Sequence, residues 1–299
     1  AINAPFEEWH LGKRNVDHLD KPPHGIFYNR MSASSHTRGH RYAPEHTAVV
    51  LNWLEKNKRR VINNSRALSL EISKSLQYKE LESFGIKTPR TIYCSNKESI
   101  LKSANVFTKP FITKHNRGGK GLGVRLFNNK KELDSYVSSG NFEPSIDGIT
   151  LLQDYIEANP KVIKRVEFVN SKFLYTVEVD ASEGFELCPA CPEDQINIPQ
   201  QQIAGEFCPT TGNKFKIIKN YKRNSLIEKY KKFISTNGIE IAGIEYVIDK
   251  NGEIYTYDVN TNTNYNSQAE KSSEIKGMRS IANFLKEELL LLSNIKVVA

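Results

Sequence analysis

Glu245 and Asp258 are the residues of this 299-residue chain whose types and spacing point most directly to chemistry. They sit in two strand-like apolar runs, 241–249 and 253–260, with Lys250-Asn251-Gly252 near the junction. Asn-Gly is the preferred pair of a two-residue type I′ turn. With Asn251 and Gly252 in that turn, Lys250 faces Glu253, Asp249 faces Ile254 and Glu245 faces Asp258. The two carboxylates then stand opposite each other with Cβ atoms about 5 Å apart. Asn260, two positions on, shares their face. Like charges across a ladder destabilise it unless something positive lies between them. Two carboxylates and an amide oxygen suit Mg²⁺ carrying substrate phosphates; a surface hairpin with solvated acids is the alternative.

A second constellation is the run from Thr113 to Val124, where Gly118, Gly119, Gly121 and Gly123 are interleaved with Lys114, Arg117 and Lys120. Glycine lets backbone N–H groups converge on an anion, and the lysines add charge to a bound phosphate. Gly121 follows Lys120 where a Walker loop has Ser or Thr, and no helix follows as a dinucleotide fingerprint requires. A flexible basic hairpin tip is the plainer alternative.

The elements that must position these groups are mixed. Short strands are expected at 26–28 and 61–62, with a helix from Pro44 to Lys58 burying Val49, Leu51, Trp53 and Leu54. One helix is expected from Ser65 to Phe84, stopped by Gly85 and Pro89. Strands follow at 107–114, 124–127 and 150–156, with a helix at 130–137 between the last two. The run 164–180 reads as two strands joined at Asn170-Ser171. Helices at 225–237 and 272–292 flank the acidic hairpin. Two separate antiparallel hairpins among helices make the class α+β.

The net charge of +8 suggests an acidic partner, but the lysines are scattered among glutamates, so nucleic acid is disfavoured. No apolar run approaches a membrane span, the first residues lack a signal-peptide core, and four cysteines do not make a disulfide scaffold. The expected compartment is the cytoplasm.

In this order and spacing the pieces resemble the ATP-grasp superfamily, and within it the RimK-like carboxylate–amine ligases, from about Gly25 to the last helix. The resemblance implies a short N-terminal substrate-side subdomain (1–68), a central lobe with a glycine-rich lid (69–156) and a C-terminal lobe with the metal site (157–299). Ser73-Lys74-Ser75-Leu76-Gln77 matches the segment with the first phosphate-binding lysine, Lys74, and Lys114 matches the second. The resemblance makes Gln153-Asp154-Tyr155-Ile156 the hinge strand that meets adenine. Arg165 becomes the group that steadies an acyl phosphate, and Glu245, Asp258 and Asn260 the metal ligands, with the family's usual Asp and Glu exchanged. Asn29 to Ser34 resembles the loop that reaches the substrate. Arg30, Ser32, Arg38, Arg41 and Asn262 are therefore candidate substrate contacts, or parts of solvated loops.

The implied cofactors are ATP and Mg²⁺, with Mn²⁺ as a substitute. The implied partners are a carboxylate and an amine, such as glutamate with a peptide, protein terminus or metabolite; a homo-oligomer stays open. The alternative function is a non-catalytic nucleotide- or nucleic-acid-binding protein on the same fold. Cys188, Cys191 and Cys208 lack the fourth ligand a zinc site needs and read as pocket lining or packing.

Overall fold

A computed structural model describes residues 3–119, 121–182, 215–218, 221–271 and 273–295. Lys120, Cys188, Cys191 and Cys208 lie outside the described residues. The first unit contains β1 (Ile26–Tyr28), α1 (Ala43–Lys56), β2 (Arg60–Ile62), α2 (Ser65–Glu71) and α3 (Lys74–Ser83). Its two strands pair in parallel. The fully buried Asn63 side chain fastens this unit to the rest of the protein. Its amide donates to the carbonyls of Ile241 and Thr261, and its oxygen accepts the N–H groups of Glu240 and Ile241.

The second unit runs through β3 (Thr91–Cys94), α4 (Lys97–Ser103), β4 (Phe111–His115), β5 (Arg125–Phe127), α5 (Lys130–Ser138) and β6 (Thr150–Asp154). The strands form an antiparallel sheet in the order β3-β6-β4-β5. Alternation divides its faces. Phe111, Phe127 and Leu152 pack against Ile100 of α4 and Leu133 and Val137 of α5. Ile112, Lys114, Leu126 and Gln153 face the other way, toward a cavity.

The third unit comprises β7 (Val162–Val169), β8 (Lys172–Asp180), β9 (Phe215–Ile218), α6 (Asn224–Thr236), β10 (Ile241–Ile248) and β11 (Ile254–Asn260), followed by α7 (Ser267–Lys271) and α8 (Gly277–Ile295). Its sheet has the order β11-β10-β7-β8-β9. Val166, Phe168, Ile244 and Tyr246 cluster with Tyr230, Phe233 and Ile234 of α6 in the main core. The free edge of β11 is covered by α3: Gln77, fully buried, exchanges hydrogen bonds with both the N–H and the C=O of Val259. Such cover removes an unpaired strand edge that would otherwise template aggregation.

Several elements differ from expectation. The helix expected over 65–84 is two helices, because Ser73 caps α3 by accepting the N–H of Leu76 and Asn116 accepts that of Ser75. On α1 the buried residues are Pro44, Thr47, Val50, Leu51 and Leu54, whereas Val49 is 65% exposed. The last helix starts at Gly277, five residues late, with α7 ahead of it. β3 and α4 were not foreseen; α4 is set by a capping box between Asn96 and Ser99.

Candidate active site

The floor of the cavity is the β10–β11 hairpin. Glu245 pairs with Asp258 and Gly243 with Asn260, so the expected facing of the two carboxylates is present. The expected turn is not. Asp249 accepts the N–H groups of Asn251 and Glu253 on one carboxylate oxygen, and its N–H bonds the carbonyl of Glu253. The loop is therefore the three residues Lys250-Asn251-Gly252, with Gly252 left-handed at φ 81°. That slips the near end by one residue, and Ile248 pairs with Ile254. A bulge between Glu245 and Tyr246 takes the slip back before the acidic pair.

Each acid meets a cation. Lys74, the first residue of α3, reaches Asp258 with Nζ–Oδ1 of 2.5 Å. Arg165 on β7 reaches Glu245 at 2.8 Å through one Nη and Glu167 at 2.5 Å through Nε. The guanidinium lies over Gly243, where an added Cβ would stand 2.3 Å from its Nη2. Only glycine leaves that space. Burial pushes the Glu245 carboxyl up, opposed by Arg165. Burial acts the same way on Asp258, but Lys74 and then Lys114 outweigh it and hold that carboxyl below its usual range.

Lys114, next to last in the fully buried β4, donates to the Tyr78 hydroxyl and the Tyr257 carbonyl, each at 3.1 Å. Burial lowers its ammonium, partly offset by Asp258 and Glu245. Beyond it, Gly118, Gly119 and Gly121 border the cavity. Gly123, at φ 71°, lies against the His115 ring, and a Cβ there would come within 2.0 Å of it. His115 is thus the support beneath the glycine turn. The turn also touches the first unit, through Arg117 with Glu45 at 2.6 Å.

Gln153, Asp154, Tyr155 and Ile156 line the cavity, as do Asn260 and Asn262. Ser32 and Arg38 reach the cavity from the first unit. Arg30 and Arg41 do not. Arg30 turns back to donate to the side chains of Asn262 and Asn264, and Arg41 donates to the carbonyl of Ile146. Both arginines brace the rim instead of gripping anything inside it.

Sequence reasoning missed Glu71 and Lys161, which also border the cavity. Glu71 ties two walls together: one oxygen accepts the N–H of Ala33, and the other accepts the N–H and hydroxyl of Thr261. Nothing local marks it, since its partners lie 38 and 190 residues away.

The cavity holds about 600 Å³, within the range of small-molecule sites. Among the described residues, no group of three His, Cys, Asp or Glu is placed to hold a metal by itself. Two facing carboxylates beside Asn260 nonetheless fit an ion whose other ligands come from phosphates. No helix among the described residues is long and apolar enough to cross a membrane.

No protein-family model matches the sequence, and no curated protein matches it. Solved structures match in shape. A RimK-domain ATP-grasp protein from Sphaerobacter thermophilus superposes with a TM-score of 0.60 at 15% identity, over 92% of this chain and 86% of that one. A RiPP-associated ATP-grasp ligase from Chryseobacterium gregarium, in complex with ADP and a leader and core peptide, gives 0.58 at 15% identity over 88% and 77%. A D-cycloserine synthetase gives 0.56 at 13% identity over 82% and 80%. The chain has the α+β ATP-grasp fold.

Proposed function

We propose that this protein is an ATP-dependent ligase that joins a carboxylate to an amine through an acyl phosphate, releasing ADP and phosphate. One observation carries the reading: the two lysines, the glycine turn, the hinge strand, Arg165 and the acidic pair all border one cavity between two sheets. Residues 153–156 take adenine. Lys74, Lys114 and the turn, including Lys120, take the phosphates. Glu245, Asp258 and Asn260 hold Mg²⁺, which when bound neutralises phosphate charge and orients the γ-phosphoryl group.

A substrate carboxylate oxygen attacks the γ-phosphorus and ADP leaves. The amine then attacks the acyl carbon, Arg165 stabilises the oxyanion, and phosphate departs with the C–O electron pair. Folding the glycine turn over the site would keep water from the acyl phosphate. Ser32, Arg38 and Asn262 lie where the carboxylate substrate would enter, and an amino acid such as glutamate is the first to try. In this scheme 1–68 is the substrate side, 69–156 carries the lid and 157–299 the metal ligands. The ADP-bound peptide ligase and the ADP complex of N5-carboxyaminoimidazole ribonucleotide synthetase, both on this fold, support the nucleotide assignment.

The test is ADP release from Mg-ATP across amino acids, dipeptides and acidic peptides, with Asp258→Ala as control. Release that needs one carboxylate–amine pair and disappears in the variant is expected. Absence of ATP binding in the wild type would overturn the reading.

A further inference from the structure

Lys114 differs from the other two buried cations of the site in its partners. Lys74 and Arg165 each hold a carboxylate, Asp258 and Glu245 respectively. Lys114 forms no ion pair among the described residues. Asp258 and Glu245 attract its ammonium from further off, each already bonded to another cation. Its Nζ donates instead to two neutral oxygens, the Tyr78 hydroxyl and the Tyr257 carbonyl.

Those two oxygens are bonded to each other as well, because the Tyr78 hydroxyl donates to the Tyr257 carbonyl at 2.9 Å. A phenol has one proton to donate. With that proton spent on the carbonyl, the oxygen offers Lys114 only lone pairs, and the three groups close into a triangle. Burial pushes the Tyr78 phenol well above its usual range, so the hydroxyl keeps its proton. The rings add to the restraint: the ammonium stands 5.8 Å from the Tyr78 ring centre and 5.1 Å from that of Tyr257, both within cation–π range. An ammonium has three N–H groups. Two are taken here, which leaves one for an occupant of the cavity that Lys114 borders. Tyr78 is 1% exposed and sits four residues after Lys74 on α3, so both side chains leave one face of the helix. That face supplies one of the two lysines directly and holds the other through a hydroxyl. Without the hydroxyl, the Lys114 ammonium loses one of two acceptors and is freer to swing toward Asp258, whose charge pulls on it.

We propose that Tyr78 is the positioning residue for Lys114: its hydroxyl holds the ammonium away from the acidic pair and turns the remaining N–H toward the phosphates of the bound nucleotide. The proposal rests on the reading of the cavity as a nucleotide site.

The experiment measures the affinities of Mg-ADP and of adenosine by calorimetry in the full-length wild type, Tyr78→Phe, Lys114→Met and the double variant. Tyr78→Phe keeps the ring and removes only the hydroxyl. Its ADP affinity is expected to fall about tenfold with adenosine unchanged, since adenosine lacks the phosphates. In the Lys114→Met background the same change is expected to alter ADP affinity by less than about twofold, because the hydroxyl then has no ammonium to hold. Equal losses for ADP and adenosine, or a loss that persists without Lys114, would mean that Tyr78 only packs α3 against β11, and would overturn the proposal. An unchanged ADP affinity in Tyr78→Phe overturns it too. Should Tyr78→Phe fail to fold, meta-fluorotyrosine in place of Tyr78 decides. Its fluorine resonance should shift on saturation with Mg-ADP and not with adenosine, and a resonance indifferent to ADP overturns the assignment. A wild type that binds no ADP sinks the nucleotide reading itself, before any variant is compared.

Discussion

Lys74 and Asp258 are joined by 2.5 Å across 184 residues of sequence, with side chains 6% and 15% exposed. Removing one partner leaves the other charge in a poorly hydrated site, which costs more than the pair's net attraction. Lys74→Ala is expected to destabilise the protein by about 3 kcal/mol and to abolish ADP binding; urea unfolding and calorimetry check the two effects. Restored stability in Lys74→Ala with Asp258→Ala would show that the stranded acid is the cause. At this scale the facing of the acidic pair was anticipated without any relative, but from a turn the structure lacks; the bulge beside Glu245 cancels the one-residue slip of the real loop. Lys74 and Arg165 were singled out only through a resemblance, whereas the glycine-rich run pointed to Lys114 by itself. Glu71, Glu167 and Asn63 were not legible at all: each looks like a polar residue in an ordinary element until partners far along the chain close around it.

Gly243 shows how an element carries a constraint for a neighbouring strand. The atoms an added Cβ would meet are the flexible end of Arg165, not backbone, so the arginine can move. Gly243→Ala is therefore expected to displace Arg165 from Glu245, reduce ADP release by about 100-fold and, because a buried ion pair is broken, lower stability by about 3 kcal/mol. Stability restored by combining Gly243→Ala with Glu245→Gln would show that the side chain, not the strand, absorbs the clash. The hairpin loop supplies a pH test. The slight burial of Asp249 would raise its carboxyl, but the N–H groups of Glu253 and Asn251 outweigh it and hold it below its usual value. A depressed folded value contributes stability above the unfolded value, about 3.9, and loses it as pH falls through the folded one. Between about pH 6 and about pH 2.5, the melting temperature of Asp249→Asn should fall less than that of wild type. Most strands and helices were legible from periodicity. The break before α3 was not, because the caps that make it include Asn116, 43 residues from Ser73 in the glycine turn.

At the scale of the whole molecule, three units close around one cavity, and ligands that bridge them should stabilise all three together. Mg²⁺ with ADP at about one hundred times its dissociation constant adds about 2.7 kcal/mol, a rise of roughly 5 °C in a scan. ADP with chelator should give a smaller rise, because Glu245 and Asp258 then stay paired with Arg165 and Lys74. An equal rise without metal would argue against the acidic pair as its site. The α+β class was legible, but the sheet orders were not, since pairings such as β10 with β7 join residues more than 70 apart. The bulge after Glu245 has a consequence for ancestry. Its extra residue is Tyr257 on β11, so the facing of Glu245 and Asp258 is set by the bulge and not by the number of residues between Asp249 and Glu253. Across a lineage, then, the length of 250–252 should vary as long as Asp249 still pairs with Glu253, whereas a residue lost from 246–248 should not be tolerated. Such a loss would turn Glu245 to the opposite face of the sheet and be purged.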